Sequence, residues 1–316
     1  MSVETPYMKT SHRHYADESG DFNRVSRFII EHNAHLRSHS TWCLGRFVDW
    51  KYGLWGDKLS TPGFWEKNAH LWFDGFGELA GFAISENGGP DFAIITTEGY
   101  RFLFAEILQW VLGNWDDRKP ALAIEITALQ VLEAGLLECN GFQRAASFYT
   151  FHHGLTEEPV QRFPLAEGFT IVDMHTHPDY RAQRILRHEA FGGKADLSED
   201  ETSRELNVDS YARESPIYHP QTDLCVMAPD GTFVSGCEAL IDARNAEADI
   251  ERICTHSSFR RRGFARAVIQ ECLVRLRDMG LRRAYITGYS PEAIALYGSL
   301  GAKEGTESLI YRQTTI

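Results

Sequence analysis

The amino-acid sequence predicts an α/β (α+β) fold built twice in tandem. Three observations carry that expectation: the length, an internal repeat of long period, and the same order of helix and strand signals in both copies. At 316 residues the chain exceeds one typical domain and suits two of about 150 residues. A hydrophobic content of 43% with 24% charged residues is globular, enough for each half to bury its own core. Residues 100–141 superimpose on residues 260–301 without a gap, at a constant offset of 160. Phe104-Ala105 then falls on Phe264-Ala265, Thr127 on Thr287 and Gly141 on Gly301.

Taken in order, residues 22–36 and 177–191 carry helical patterning and open the two units. Hairpins follow. Leu71-Trp72-Phe73-Asp74-Gly75 leads into a strand over 79–84, and a strand over 223–227 leads through Pro229-Asp230-Gly231 into 232–240. In the second copy residues 249–255 alternate as a strand, with Ile250 and Cys254 flanking the charged Glu251 and Arg252. Amphipathic helices over 104–112 and 265–277 lead through polar turns (114–119 and 278–280) into strands over 121–126 and 283–287. Second helices over 128–137 and 292–300 end at Gly141 and Gly301, where glycine lets the chain turn back. The polar, proline-containing stretch 156–160 marks the boundary, dividing the chain into domains over 1–155 and 160–316.

Composition excludes several classes of function. A net charge of −12 argues against nucleic acid as a partner, because the phosphate backbone needs a basic face. It suits a small cationic substrate, although acidity also serves solubility alone. No apolar run approaches the roughly 20 residues that span a bilayer, and the first residues lack a basic-then-apolar signal pattern. These features fit a cytoplasmic protein with no membrane partner. The six cysteines are scattered without a Cys-x-x-Cys pair and read as small buried hydrophobes. His175 and His177 sit in His-Thr-His-Pro, but two histidines without a third ligand at sensible spacing do not make a metal site. No metal is expected.

The chemistry is carried by one turn. After the strand over 249–255 and His256-Ser257-Ser258-Phe259 comes Arg260-Arg261-Arg262-Gly263-Phe264-Ala265, directly opening a helix. A pyrophosphate needs N–H groups and positive charge converging at close range, and a helix N-terminus supplies both. Gly263 leaves the approach open and Ala265 keeps the second close position small. Arg260, Arg261 and Arg262 can neutralise phosphate; which of them does so stays open. Some 25 residues later stands Ser290-Pro291-Glu292-Ala293-Ile294-Ala295-Leu296-Tyr297-Gly298-Ser299-Leu300-Gly301-Ala302.

Both motifs resemble those of the GNAT acyltransferase superfamily. The turn matches R/Q-x-x-G-x-G/A. The second segment is similar to N-x-x-A-x-x-L-Y-x-x-x-G-F, with Ser290 where asparagine is usual and Ala302 where phenylalanine is usual. The resemblance is specific over residues 249–302 and extends, for the fold, over roughly residues 169–312. It implies a mixed central sheet flanked by helices, with two parallel strands (249–255 and 283–287) that splay apart around acetyl-CoA, the cosubstrate. It further implies that edge groups of Ile253, Cys254 and Thr255 bond the acyl carbonyl and pantetheine, an oxyanion-type contribution. Arg260 to Arg266 and Ser290 complete the implied cofactor set.

The reaction implied by the resemblance is direct attack of a substrate amine on the thioester. Tyr297 matches the family's acid: a phenol near pKa 10 can protonate a thiolate whose conjugate acid lies roughly 1–2 units lower. Glu251, two residues before Ile253, is the leading base. Glu238 on the preceding strand is the alternative, and His256 could relay protons. Each also has an ordinary structural role open to it. The first copy lacks the signature: Leu103 replaces Gly263, Tyr100 replaces Arg260 and Leu137 replaces Tyr297. Leucine would crowd the phosphate site, so this copy is expected to be degenerate, and its aromatic segments 42–55 and 65–72 to serve mainly as core. One active copy of two is similar in architecture to mycothiol synthase.

The sequence therefore points to an acetyl-CoA-dependent N-acetyltransferase acting on a small-molecule amine, as a monomer or homodimer. The alternative is a non-catalytic acyl-CoA-binding sensor. The identity of the acceptor is not encoded in any motif.

Overall fold

A computed structural model describes residues 9–36, 39–40, 42–53, 58, 60–118, 120–156, 161–192 and 198–314. Residues 157–160 of the expected boundary, Lys119 of the first polar turn and residues 54–57 of the first aromatic segment lie outside the described residues. Two compact units form. One comprises residues 1–148 with 306–316, the other residues 149–305.

In the first unit β1 (Ser11–His14), α1 (Asp21–His35), α2 (Leu44–Tyr52) and α3 (Phe64–Asn68) precede β2 (Ala69–Phe73), β3 (Leu79–Ile84) and β4 (Asp91–Thr96). Then come α4 (Leu103–Asn114), β5 (Ala123–Thr127), α5 (Val131–Cys139) and β6 (Phe142–Gly154), whose residues from Tyr149 onward belong to the second unit. Every residue of β2 and β3 is buried, so these strands read as apolar runs rather than as alternating ones. Helix α4 buries Leu103, Phe104, Ile107, Leu108 and Val111, the three-and-four spacing of one helical face, and packs on β3 and β4. Strand β1 pairs antiparallel with β2. There the buried His70 lies 2.8 Å (Nε2) from His12 Nδ1 and 3.3 Å (Nδ1) from His14 Nδ1, with Trp110 stacked on its ring at 3.9 Å.

The second unit holds β7 (Thr170–Asp173), α6 (Tyr180–Gly192), α7 (Glu199–Arg213), β8 (Tyr218–Met227), β9 (Phe233–Asp242), β10 (Glu247–Thr255), α8 (Phe264–Asp278), β11 (Arg283–Gly288) and α9 (Pro291–Gly298). Adjacent residues of β8 separate into two cores: Leu224 and Val226 join α8 residues, whereas Cys225 joins Leu186 of α6. Because a strand's side chains alternate, α8 and α6 cover opposite faces. On α8 the side chains of Phe264, Val268, Ile269, Leu273 and Leu276 are buried. At roughly 1.5–3 kcal/mol each, burial rather than helix propensity holds α8 in place.

The strand order is β1-β2-β3-β4-β5-β12 in the first unit and β6-β11-β10-β9-β8-β7 in the second, where β12 (Glu304–Gln313) ends the chain. All described pairs are antiparallel except β4 with β5 and β10 with β11. The repeat is thus visible in three dimensions, with β5 and β11, α5 and α9 starting 160 residues apart.

One feature departs from the consecutive division at 155/160. Residues 308–312 of β12 pair with 123–127 of β5 in the first unit, while residues 149–154 of β6 pair with 283–288 of β11 in the second. Each unit therefore receives its closing strand from the other copy's end of the chain. Local patterning marks a strand but not its partner, so this exchange is decided by pairing alone.

Candidate active site

Strands β10 and β11 pair in parallel at 247–283, 248–284 and 249–285. Beyond Asp249 each follows its outer neighbour: β10 stays on β9 to Thr255↔Ser235, and β11 stays on β6 to Gly288↔Tyr149. The two central strands therefore part. The cause lies in β10, where the register with β9 slips by one residue between Glu251 and Cys254 and Arg252 takes a φ of 53°. This is a β-bulge, which bends its strand and leaves a residue without a partner. His256 N–H donates to Val234 O, and strand alternation then turns the backbone groups of Ile253 and Thr255 to the parted edge.

The turn that follows is held from several sides. Glu189 of α6 accepts hydrogen bonds from Ser257 N–H (3.0 Å) and its hydroxyl (2.5 Å). These bonds hold its carboxyl below the usual range against the opposing effect of burial. His256 Nδ1 accepts from Ser258 N–H at 3.2 Å, a local cap. Gly263 is the N-cap of α8 at φ 84°, and no side chain caps this helix. Its first-turn N–H groups have no intrahelical acceptor. The positive φ favours glycine here, and a Cβ on Gly263 would stand 2.5 Å from the exposed Phe163 ring, which would have to move aside. Arg260, Arg261 and Arg262 are exposed around this turn. Arg260 Nε donates to Thr255 O at 3.3 Å, and Arg262 lies over the Phe259 ring.

Helix α9 begins with Ser290 as N-cap, its hydroxyl accepting from Ala293 N–H, and Pro291 at the first position. Near its end Tyr297 is 7% exposed and joins the core shared by α8 and β10. Its hydroxyl has no hydrogen-bond partner among the described residues. Burial pushes the phenol well above its ordinary pKa, and the Glu251 carboxylate pushes it further. The side chains of Glu251 and Tyr297 thus feel each other where β10 and β11 part.

The other expected residues are distributed as follows. Glu238 is buried and ion-paired with Arg252 at 2.7 Å and Arg187 at 3.1 Å. Opposed by burial, these guanidiniums still hold its carboxyl below the usual range, a poor setting for a base. The Cys254 side chain packs with Cys225 and Leu186, and its carbonyl accepts from Ser235 Oγ at 2.7 Å. Phe264 is a core side chain. Arg266 donates to Ser299 O at 3.2 Å and Ser299 Oγ at 2.6 Å, tying α8 to the end of α9. His175 and His177 lie in the turn before α6, whose peptides are held by Asp173. Glu189, Phe163, Ser235 and the bulge at Arg252 were not legible as site features, because each acts through a neighbour distant in sequence.

The first unit repeats the frame with different residues at the turn. Strands β4 and β5 pair only at 91–123 and 92–124, so they too diverge. Leu103, in the place of Gly263, is fully buried and part of the core, as is Leu137 in the place of Tyr297. Arg101, at the equivalent turn, is gripped by both Glu133 carboxylate oxygens at 2.8 Å, and Tyr100 donates to Asp74. Trp72 lies in the same core and Trp50 is fully buried.

Residues 194–302 match the family model of the GNAT acetyltransferases. No curated protein matches the chain by sequence. Its fold is similar to that of a GCN5-related N-acetyltransferase from Sphaerobacter thermophilus, with a TM-score of 0.65 at 18% identity over 99% of this chain and 98% of that one. It is also similar to a tandem GNAT protein from the clavulanic acid biosynthesis pathway, with a TM-score of 0.64 at 12% identity over 98% and 100%. A GNAT-family acetyltransferase from Colwellia psychrerythraea gives a TM-score of 0.57 at 10% identity over 98% and 100%. Among the described residues no helix is long and apolar enough to cross a membrane. Residues 194–302 thus carry an acetyltransferase (GNAT) domain, within a chain whose fold is similar to that of tandem GNAT structures.

Proposed function

We propose that the second unit transfers the acetyl group of acetyl-CoA to the amine of a small molecule by direct attack. The observation that carries this reading is the parting of β10 and β11 beyond Asp249 beside the uncapped N-terminus of α8 at Gly263, with the buried Tyr297 in the same core. Acetyl-CoA, the cosubstrate of this family, supplies an acetyl group already activated as a thioester. The first-turn N–H groups of α8 and the guanidiniums of Arg260, Arg261 and Arg262 would hold its phosphates. The parted edge at Ile253 and Thr255 would orient its acyl end. Cys254, whose carbonyl accepts from Ser235 of β9, would support that edge from its other side, while Arg266 ties α8 to the end of α9 and Ser290 caps the start of α9.

Glu251 takes the proton that the amine must lose, and Tyr297 returns one to the departing sulfur. These two transfers help each other. Once Glu251 is protonated its negative charge disappears, and with it part of what holds the phenol's proton. The acid is thereby strengthened at the moment it is needed.

The test is thiol release from acetyl-CoA with a panel of primary amines. The reading expects turnover with at least one amine and its loss in Glu251→Gln and Tyr297→Phe. Tight binding of acetyl-CoA without turnover on any amine would instead favour a sensor.

A further inference from the structure

We propose that Arg252 and Glu238 are positioning residues: their ion pair holds the bulge in β10 that presents Glu251 and the Ile253 N–H to the thioester. The inference rests on the acetyl-CoA reading given above. The bulge places Arg252 at φ 53°, a left-handed conformation that crowds the Cβ of any residue but glycine. Bulges of this kind ordinarily carry glycine there, so an arginine needs something to hold it.

That hold is visible. The Arg252 guanidinium is 2.7 Å from Glu238, which is 3.1 Å from Arg187, which is 3.1 Å from Asp223. Both arginine side chains are 11% exposed, and the carboxylates are 6% and 2% exposed. Two carboxylates and two guanidiniums make a neutral set, and a buried set of this kind is costly to break at any one member. Gln183 and Tyr218 close it by donating to Asp223. Glu238 is also the cross-strand partner of Glu251. The same carboxylate thus anchors the bulge residue and stands beside the candidate base.

The experiment compares wild type, Arg252→Met, Arg252→Gly and the double variant Arg252→Met/Glu238→Gln, using acetyl-CoA labelled with 13C at the acyl carbonyl. Affinity is measured by calorimetry and carbonyl polarisation by infrared difference spectroscopy, neither of which requires an acceptor. Arg252→Met keeps a Cβ at the positive φ and removes the guanidinium that holds it. We expect its affinity to change by no more than about threefold, because the phosphate turn is untouched. Its carbonyl band should return toward that of free acetyl-CoA. With any amine that wild type acetylates, kcat should fall on the order of tenfold to a hundredfold at nearly constant KM for acetyl-CoA. Arg252→Gly, which adopts the positive φ unaided, should keep most of the wild-type carbonyl shift. The double variant should recover the thermal midpoint but not the carbonyl shift. A wild-type carbonyl band in both Arg252→Met and the double variant overturns the proposal. Failure of every amine to turn over, with the carbonyl shift present in wild type and lost in Arg252→Met, overturns the transfer reading and sustains this one.

Discussion

Glu251 and Glu238 face each other directly across the β9–β10 pairing, yet their surroundings give them different tasks. Glu238 is clamped between Arg187 and Arg252. The Glu251 carboxylate adds to the effect of burial in raising the Tyr297 phenol. Two carboxylates on one sheet face are thereby separated into an anchor and a candidate proton acceptor, which is how environment rather than residue type assigns acid–base roles.

Replacement of Tyr297 by phenylalanine should lower kcat by about a hundredfold or more, the scale of one general acid. Affinity for acetyl-CoA and the unfolding midpoint should stay near wild type, since the hydroxyl has no partner among the described residues. Steady-state thiol release and calorimetry check both halves of this expectation.

In Glu251→Gln the Tyr297 phenol should titrate at lower pH than in wild type, because the charge that raised it is gone. It should remain above an ordinary tyrosine, because burial, the larger cause, is unchanged. Ultraviolet difference titration against Tyr297→Phe isolates the relevant phenol.

Gly263→Ala puts a Cβ at φ 84° and within 2.5 Å of the Phe163 ring. Stability should fall by roughly 1–2 kcal/mol from the left-handed conformation alone, and acetyl-CoA affinity should weaken with it. Adding Phe163→Ala should relieve the clash but not the backbone strain, so denaturant midpoints should recover only in part.

Leu103→Ala should cost about 2–5 kcal/mol as a buried large-to-small change, since Leu103 is fully buried. It should leave acetyl-CoA affinity unaltered. Calorimetry of wild type should find one acetyl-CoA per chain, because the equivalent turn in the first unit has its arginine engaged by Glu133. A second site, or loss of binding in Leu103→Ala while the fold persists, would show that the first unit holds the cosubstrate.

Acid should weaken the first unit through His70. Burial, with His14, His12 and Arg13 beside it, holds this imidazole down to about 3, whereas an unfolded histidine titrates near about 6.5. Below that value the unfolded chain takes up a proton that the folded chain refuses. Stability present above about 6.5 is therefore lost progressively as pH falls toward about 3. Denaturant midpoints at pH 7 and pH 4.5 should differ by less in His70→Gln than in wild type.

Much of this molecule was legible in local sequence. The periodicity around residues 104–112 and 265–277 produced α4 and α8, and the offset between Gly141 and Gly301 announced the repeat that β5 and β11 now display. The turn at Gly263 and the tyrosine at 297 were visible because their chemistry depends on residue type at fixed spacing. Helix α7 was not anticipated: it has almost no apolar face, so periodicity had nothing to detect.

By itself the sequence determined the duplication, the order of the repeated elements, the glycine turn that opens α8 and its absence from the first copy, because each is written in neighbouring residues. Only the tertiary structure decided that β6 and β12 close each other's units, that Arg252 and Glu238 share a buried ion pair, and that Phe163 lies over Gly263. Those relationships join residues remote along the chain, where pairing, burial and charge select partners that no local pattern specifies.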